Sequence, residues 1–215
     1  SFKINLTIIE PEKFLSLVNS LLSKVNEIES FEILGTCGDY IIAGGMVNNE
    51  IIQFGLNKIV TIDYSKPPDS IYFIRSLIKM HPEVISGAVP NLLNFLITHL
   101  QSEESEKQYY SATMSNVIST LFDISKSESL GNLIQMDQVI PLILNKMPVL
   151  DDDEAQFIYS SLIDYFQKAQ DQINNNLENL VRVLIQTLSL KKSIYFYLVC
   201  ESFACMFFYM YAPDL

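Results

Sequence analysis

The chain has 215 residues, of which 49% are hydrophobic and 18% are charged, so it can bury a core and is too apolar to be disordered. Its seven glycines and eight prolines are too few for an all-β sandwich, which needs a turn about every ten residues. A formal net charge of −11 argues against direct binding to nucleic acid or to anionic membranes and favours basic partners.

Three cysteines, Cys37, Cys200 and Cys205, form no C-x-x-C pair, which favours a reducing compartment over a disulfide framework or a zinc site. The first residues, SFKINLTIIEPEKF, carry charges early and contain no long apolar run, so they do not predict a signal peptide. Because the chain begins at Ser1 and not at methionine, we expect it to be a piece of a longer protein.

The apolar residues recur with the spacing of amphipathic helices, for which the template is i, i+3, i+4, i+7, i+8 and i+11. Four windows match the template at all six positions: Phe14, Leu17, Val18, Leu21, Leu22, Val25; Val89, Leu92, Leu93, Leu96, Ile97, Leu100; Met136, Val139, Ile140, Ile143, Leu144, Met147; and Leu177, Leu180, Val181, Leu184, Ile185, Leu188. A weaker match begins at Asn48, so the five starting points are separated by 34, 41, 47 and 41 residues.

A second set of helices is predicted between these windows. Two of them follow the same template, the second with one polar substitution: Ala155, Ile158, Tyr159, Leu162, Ile163, Phe166; and Tyr110, Thr113, Met114, Val117, Ile118, Leu121. The segment DSIYFIRSLIKM (69–80) is shorter, and FEILGTCGDYIIAGG (31–45) is interrupted by glycines.

Two amphipathic helices about every 40 residues are the signature of HEAT or armadillo arrays, in which each helix pair leaves apolar surface for its neighbours to bury. The sequence therefore predicts an all-α fold, a HEAT-repeat α-solenoid of about five antiparallel helix pairs. We expect residues 1–215 to form a single array with approximate repeats 11–45, 48–80, 87–126, 133–169 and 173–211. The alternative is an ordinary globular helical bundle, which shows the same 3.6-residue periodicity.

A more specific pattern runs through VPNLLNFL, YYSATMSNVISTLFDI, MDQVIPLILNKMPVLDDDEAQFIYSSLIDYF and LENLVRVLIQTL. This run, from Met80 to about Ser189, resembles the C-terminal HEAT repeats of the importin-β (karyopherin-β) nuclear transport receptors, most nearly the importin-4/importin-5 branch. The family pattern is V-x-P-x-x-L-x-x-L-P, followed by L-x-x-D-x-x-E-A and an aromatic-rich helix. With a slight shift in the first helix, this chain matches the pattern at Val139, Pro141, Leu144, Pro148, Leu150, Asp153, Glu154 and Ala155. The glycine-bearing segment 30–65 and the aromatic tail depart from the family.

The resemblance implies a fragment of a nuclear import receptor, present in the cytoplasm and the nucleus. Basic cargo proteins are expected on the inner surface formed by the second helices, with release by the Ran GTPase in its GTP state and nucleoporin binding through the full-length receptor. The alternative is a HEAT-repeat scaffold subunit that assembles protein complexes without a transport role. We expect no enzymatic activity, no cofactor and no metal, because no nucleophile arrangement, phosphate loop or ligand set is present.

Four consecutive acids, Asp151, Asp152, Asp153 and Glu154, separate two predicted helices. They are interpreted as a turn and as the N-terminal charge of the second helix, because carboxylates there accept backbone N–H groups and suit the helix dipole. Calcium binding is disfavoured, since the alternating ligands and central glycine of a calcium loop are missing. Contact with a basic partner is the other interpretation, and the import hypothesis assigns electrostatic steering to these acids together with Glu103, Glu104 and Glu106.

His81 and His99 are interpreted as structural, and Arg75 as a possible member of the Asp–Arg ladder that links HEAT neighbours. The tail from Ile194 to Tyr211 has 18 residues with one charge, Glu201, which reaches the lower edge of transmembrane length. We expect it to be the second helix of the last repeat. An interface or dimer contact, a membrane anchor or an aberrant end of the gene model are the alternatives.

Overall fold

The computed structural model describes residues 10–59, 69–102, 111–149 and 151–189. Throughout these residues the regular secondary structure is helical, which confirms the all-α prediction for this part of the chain. The α-helices are α1 Pro11–Leu22, α2 Glu27–Ile42, α3 Asn49–Ile59, α4 Asp69–Met80, α5 Pro82–Ile85, α6 Val89–Gln101, α7 Ser111–Lys126, α8 Met136–Asn145, α9 Asp152–Lys168 and α10 Asp171–Ser189. Two short 3₁₀ turns lie at Ser86–Ala88 and Gly131–Leu133.

Local sequence signals account for the ends of α2. The Asn26 side chain accepts from the backbone N–H of Glu29, and the Glu29 carboxylate accepts in return from the N–H of Asn26, which is a capping box. At the other end Gly44 has a φ of 92°, and the N–H groups of Gly44 and Gly45 donate to the carbonyls of Ile41 and Tyr40. This is a Schellman motif, and glycine adopts its left-handed residue without steric cost.

The described residues divide into two compact units. The first comprises 10–59, 69–95 and 123–134, and the second comprises 96–102, 111–122, 135–149 and 151–189. The division falls within α6 and α7, so each of these two helices contributes residues to both units.

In the first unit α4 packs against α2 and α3, and nearly its whole length from Ser70 to Ile78 is buried. Glycine allows this close packing. A Cβ on Gly38 of α2 would lie 2.7 Å from the ring of Tyr72, and one on Gly55 of α3 would overlap the ring of Phe73. Helix α1 packs on α2 and α3, where Phe14 stacks on Tyr40 with the ring centroids 4.1 Å apart.

In the second unit α10 packs against α8, and the Arg182 guanidinium donates to the carbonyls of Leu144 and Met147 near the end of α8. Both carbonyls lie at or just beyond the C-terminal end of α8, where a cation is favoured. Helix α9 is linked to α10 by the Tyr159 and Thr187 hydroxyls, whose oxygens are 3.4 Å apart.

Each predicted apolar window corresponds to a helix, although Val25 and Met147 lie beyond the ends of α1 and α8 and Tyr110 lies outside the described residues. Two of the apolar stripes are wider than the buried strip. On α1 Phe14 and Val18 are buried, whereas Leu17 is 57% exposed and Leu21 38%. On α10 Leu180 is buried, whereas Val181 and Ile185 are 36% and 61% exposed. The aromatic tail 194–211 lies outside the described residues. In the part of the chain that is described, no helix has the length and apolar character needed to cross a membrane.

Candidate partner-binding surfaces

The four consecutive acids lie at the start of α9, in the second unit. Asp151 is the N-cap residue, with an extended backbone, and its carboxylate accepts from the backbone N–H of Asp153 at 3.0 Å. Burial raises the pKa of the Asp151 carboxyl, and its hydrogen bonds with the N–H groups of Asp153 and Glu154 oppose that rise. The interpretation of this stretch as a helix cap is therefore confirmed at Asp151.

The other predicted acids have different surroundings. Glu154 is half-buried, and its carboxylate accepts from the Ser119 hydroxyl of α7 at 2.6 Å, whereas Asp153 is exposed. The side chain of Asp152 and the whole of Glu103, Glu104 and Glu106 lie outside the described residues. Of the seven acids, Asp153 is thus the one described carboxylate that faces solvent. No set of three or more histidine, cysteine or acidic side chains in the described ranges has the arrangement of a metal site.

A second acidic surface lies in the first unit, on α2 and α4. Asp69, at the start of α4, places its carboxylate over Gly35 of α2, where a Cβ would be only 2.7 Å from Oδ1. Burial raises the pKa of the Asp69 carboxyl, a hydrogen bond from its own backbone N–H opposes this rise, and the negative charges of Glu32 and Asp39 raise the pKa further. The Tyr72 hydroxyl donates to Asp39 at 2.8 Å, and its own pKa rises to about 12 through burial and this hydrogen bond.

This acidic surface was not predicted. Glu32 and Asp39 are seven residues apart and therefore share one face of α2, which is a signal that the sequence carries. That Asp69 would join them depends on how α4 packs on α2, and the sequence does not determine this packing by itself.

A buried ion pair links α4 with the end of α7 inside the first unit. The Arg75 guanidinium donates to the Asp123 carboxylate at 2.6 Å, and both side chains are 6% exposed. Lys79, one turn along α4, lies 3.5 Å from the same carboxylate and is 40% exposed. Burial raises the pKa of Asp123, and the charges of Arg75 and Lys79 oppose this rise. The sequence suggested Arg75 as a possible ladder residue, and its acidic partner is Asp123 on α7. In the predicted repeats α4 and α7 are the second helices of neighbouring pairs.

A cleft of about 220 Å³ separates α3 from α6 in the first unit. It is lined by apolar residues, among them buried Ile59 and Leu92 and half-buried Phe95, and by the exposed residues Gln53, Asn57 and Asn91. The volume is below that of typical small-molecule pockets.

Comparisons with protein-family models, with curated proteins and with solved structures found no match to this chain.

Proposed function

We propose that these helices are consecutive HEAT repeats of a nuclear import receptor that binds basic cargo, with release by Ran-GTP in the full-length protein. The observation that carries the proposal is the Arg75–Asp123 ion pair, because it joins the second helices of two successive predicted pairs. A buried ion pair is costly unless both partners are held in good geometry, so its presence favours a specified stacking of pairs over a loose bundle.

Further contacts support the same stacking within each unit. In the first unit the Asn19 amide of α1 donates to Glu50 of α3 at 3.2 Å, which joins two predicted first helices. In the second unit the Ser119–Glu154 hydrogen bond joins two predicted second helices, α7 and α9. These first-to-first and second-to-second contacts favour the stacking of helix pairs in a solenoid.

Electrostatics supports a basic cargo. The acidic surface of Glu32, Asp39 and Asp69 lies on α2 and α4, which are second helices in the predicted repeats, and these are the helices expected to form the cargo surface. Because the chain has a net charge of −11, a basic protein is attracted from a distance and then meets carboxylates at short range. The uncharged α3–α6 cleft offers a separate contact for an apolar side chain.

The import proposal is tested by a binding experiment with two ligands. Immobilised protein is incubated with core histones as the basic cargo, with and without GTP-loaded Ran, and the same assay is run on the longer parent protein. Import predicts histone binding that Ran-GTP reverses in the parent. A scaffold subunit predicts partner binding that Ran-GTP leaves unchanged, and binding of neither ligand by the parent contradicts the proposal.

A pair of charge reversals tests the assignment of the cargo surface. Glu32→Lys on α2 and Glu12→Lys on α1 each change the net charge by two, and both glutamates are exposed. Glu32→Lys is expected to weaken histone binding about three- to tenfold, whereas Glu12→Lys, on a first helix, has a smaller effect. Equal losses would show that net charge alone, and not the α2–α4 surface, determines binding.

A further inference from the structure

One carboxylate of the α2–α4 surface is held by a tyrosine of the neighbouring helix. Tyr72 of α4 donates its hydroxyl to Oδ1 of Asp39 on α2 at 2.8 Å, although Asp39 itself is exposed. The two residues are 33 positions apart, so this hydrogen bond depends on the packing of α4 on α2. It fixes an exposed side chain that would otherwise sample several rotamers.

The Tyr72 ring is in turn held against the backbone of α2. A Cβ on Gly38 would lie 2.7 Å from Cε1 of the ring and 3.1 Å from Oγ of Ser76, so the ring lies directly on the glycine. Burial, together with the hydrogen bond to Asp39, raises the pKa of Tyr72 to about 12. The Tyr72 hydroxyl therefore stays protonated at neutral pH and is a donor in a fixed position.

A neutral donor holds a carboxylate without cancelling its charge. Asp123, in the same unit, accepts from the Arg75 guanidinium at 2.6 Å and is 6% exposed, so its charge is both paired and shielded from a ligand. Asp39 is exposed, and the phenol that holds it is uncharged. The charge of Asp39 is therefore accessible to a cation, in an orientation that is set before the cation arrives.

We propose that Tyr72 is a positioning residue of the α2–α4 surface, whose hydroxyl holds the Asp39 carboxylate ready for an ammonium or guanidinium group of basic cargo. The inference rests on the proposed function, because it assigns a role within the same surface. Ordering one side chain on binding lowers affinity by about two- to tenfold, and a side chain that is already ordered avoids this loss. Tyr72 thus raises the affinity for cargo although it adds no charge to the surface.

The test is binding of a labelled lysine- and arginine-rich peptide to the whole chain, followed by fluorescence anisotropy. Tyr72→Phe removes the donor and keeps the ring, so it is expected to weaken binding about two- to tenfold. Tyr165→Phe is the matched control, because it removes a hydrogen bond of the same kind, from Tyr165 to Asp137 at 2.6 Å, in the second unit. It is expected to bind like the wild type, and equal losses in the two variants overturn the proposal.

A second background separates positioning from general support of the fold. Asp39→Asn keeps an acceptor for the Tyr72 hydroxyl but removes the charge that the hydroxyl holds in place. In Asp39→Asn protein, Tyr72→Phe is therefore expected to cause no further loss of affinity. A residue that only supports the fold would lower affinity equally in both backgrounds, and that result overturns the proposal. Circular dichroism checks that each variant stays helical.

Glu32→Lys distinguishes a failure of this inference from a failure of the proposed function. If the wild type binds the peptide and Glu32→Lys weakens binding, while Tyr72→Phe binds like the wild type, the α2–α4 surface stands and the role of Tyr72 is wrong. If the wild type does not bind the peptide, the proposed surface and the role of Tyr72 are both wrong.

Discussion

Arg75 and Asp123 form a buried ion pair, so the loss of one partner is expected to have a large effect on the stability of the protein. Asp123→Ala leaves the Arg75 guanidinium buried without its closest carboxylate and is expected to lower the free energy of unfolding by about 3–5 kcal/mol. Replacing both residues by apolar ones, as in Arg75→Met/Asp123→Leu, is expected to cost less than the single change, because no charge then remains buried. Urea denaturation measures both.

Lys79→Ala is the control for this pair, since Lys79 contacts the same carboxylate but is 40% exposed. Its expected cost is at most about 1 kcal/mol. A double variant as unstable as Asp123→Ala would contradict the view that the unpaired charge causes the loss. The sequence suggested Arg75 as a ladder residue, but not its partner, because Asp123 lies 48 residues further along the chain and only tertiary packing selects it.

Cys37 is buried in α2, and burial raises the pKa of its thiol from an ordinary 9.0 to about 12. Because the thiolate is the reactive species, Cys37 in Cys200→Ser/Cys205→Ser protein is expected to react with a disulfide reagent at pH 8 at least about a thousandfold more slowly when folded than in urea. The raised pKa also means that stability is intact below pH 9 and falls as pH rises towards 12. Rapid labelling of folded protein would contradict the burial of this thiol.

At the scale of the element, Asp151 is the cap of α9. Asp151→Ala removes the acceptor for the N–H of Asp153 and is expected to destabilise the protein by about 0.5–2 kcal/mol, whereas Asp151→Asn retains most of the cap. Asp153→Ala, two residues further along and exposed, is the control and is expected to change stability by less than about 0.5 kcal/mol. Thermal unfolding followed by circular dichroism gives all three values. Equal effects at the two positions would exclude a specific capping role.

The glycines of α2 and α3 lie in segment 30–65, which matches the repeat pattern poorly in sequence. From the sequence, segment 30–65 departs from a regular repeat because glycine lowers helix propensity. In the structure α2 and α3 are helices, and a Cβ on Gly38 or Gly55 would clash with the rings of Tyr72 and Phe73 on α4. The periodicity of apolar residues predicts where helices form, but it does not indicate how closely two helices approach each other. This role of glycine was therefore not predicted.

Gly38→Ala tests that packing. The added methyl group would lie 2.7 Å from the Tyr72 ring, so the substitution is expected to cost about 1–3 kcal/mol even though alanine has the better helix propensity. Gly87→Ala is the matched control, because nothing lies within 4 Å of its Cβ position, and its effect is expected to be neutral or slightly stabilising. The two variants are compared by urea denaturation. A stabilising Gly38→Ala would show that α4 does not approach α2 this closely.

At the scale of the whole molecule, the sequence predicts the helices and the general type of packing, while the surfaces depend on which side of each helix is covered. Leu17 and Val18 are adjacent in one apolar window, yet the first is exposed and the second is buried. The surroundings of the acids likewise depend on packing. Asp151 and Glu154, which were predicted from a run of four acids, are held by hydrogen bonds. Glu32, Asp39 and Asp69, which were not predicted, are brought together by the packing of α2 and α4.

The net charge of −11 leads to a prediction that concerns the protein as a whole. If basic cargo is attracted by this field and held by the α2–α4 surface, its affinity is expected to fall at least about tenfold between low and physiological salt, because exposed charges are screened over a Debye length of about 8 Å at 0.15 M. Fluorescence anisotropy of a labelled lysine- and arginine-rich peptide measures this.

Two probes make that measurement discriminating. A peptide of the same length with its basic residues replaced by glutamine is expected not to bind, and double-stranded DNA is expected not to bind at any salt concentration, because its charge has the same sign as that of the protein. Glu32→Lys is expected to lower the affinity of the basic peptide mainly at low salt. Affinity that does not change with salt would mean that apolar contacts, such as the α3–α6 cleft, dominate, and the acidic surface would then have no part in cargo binding.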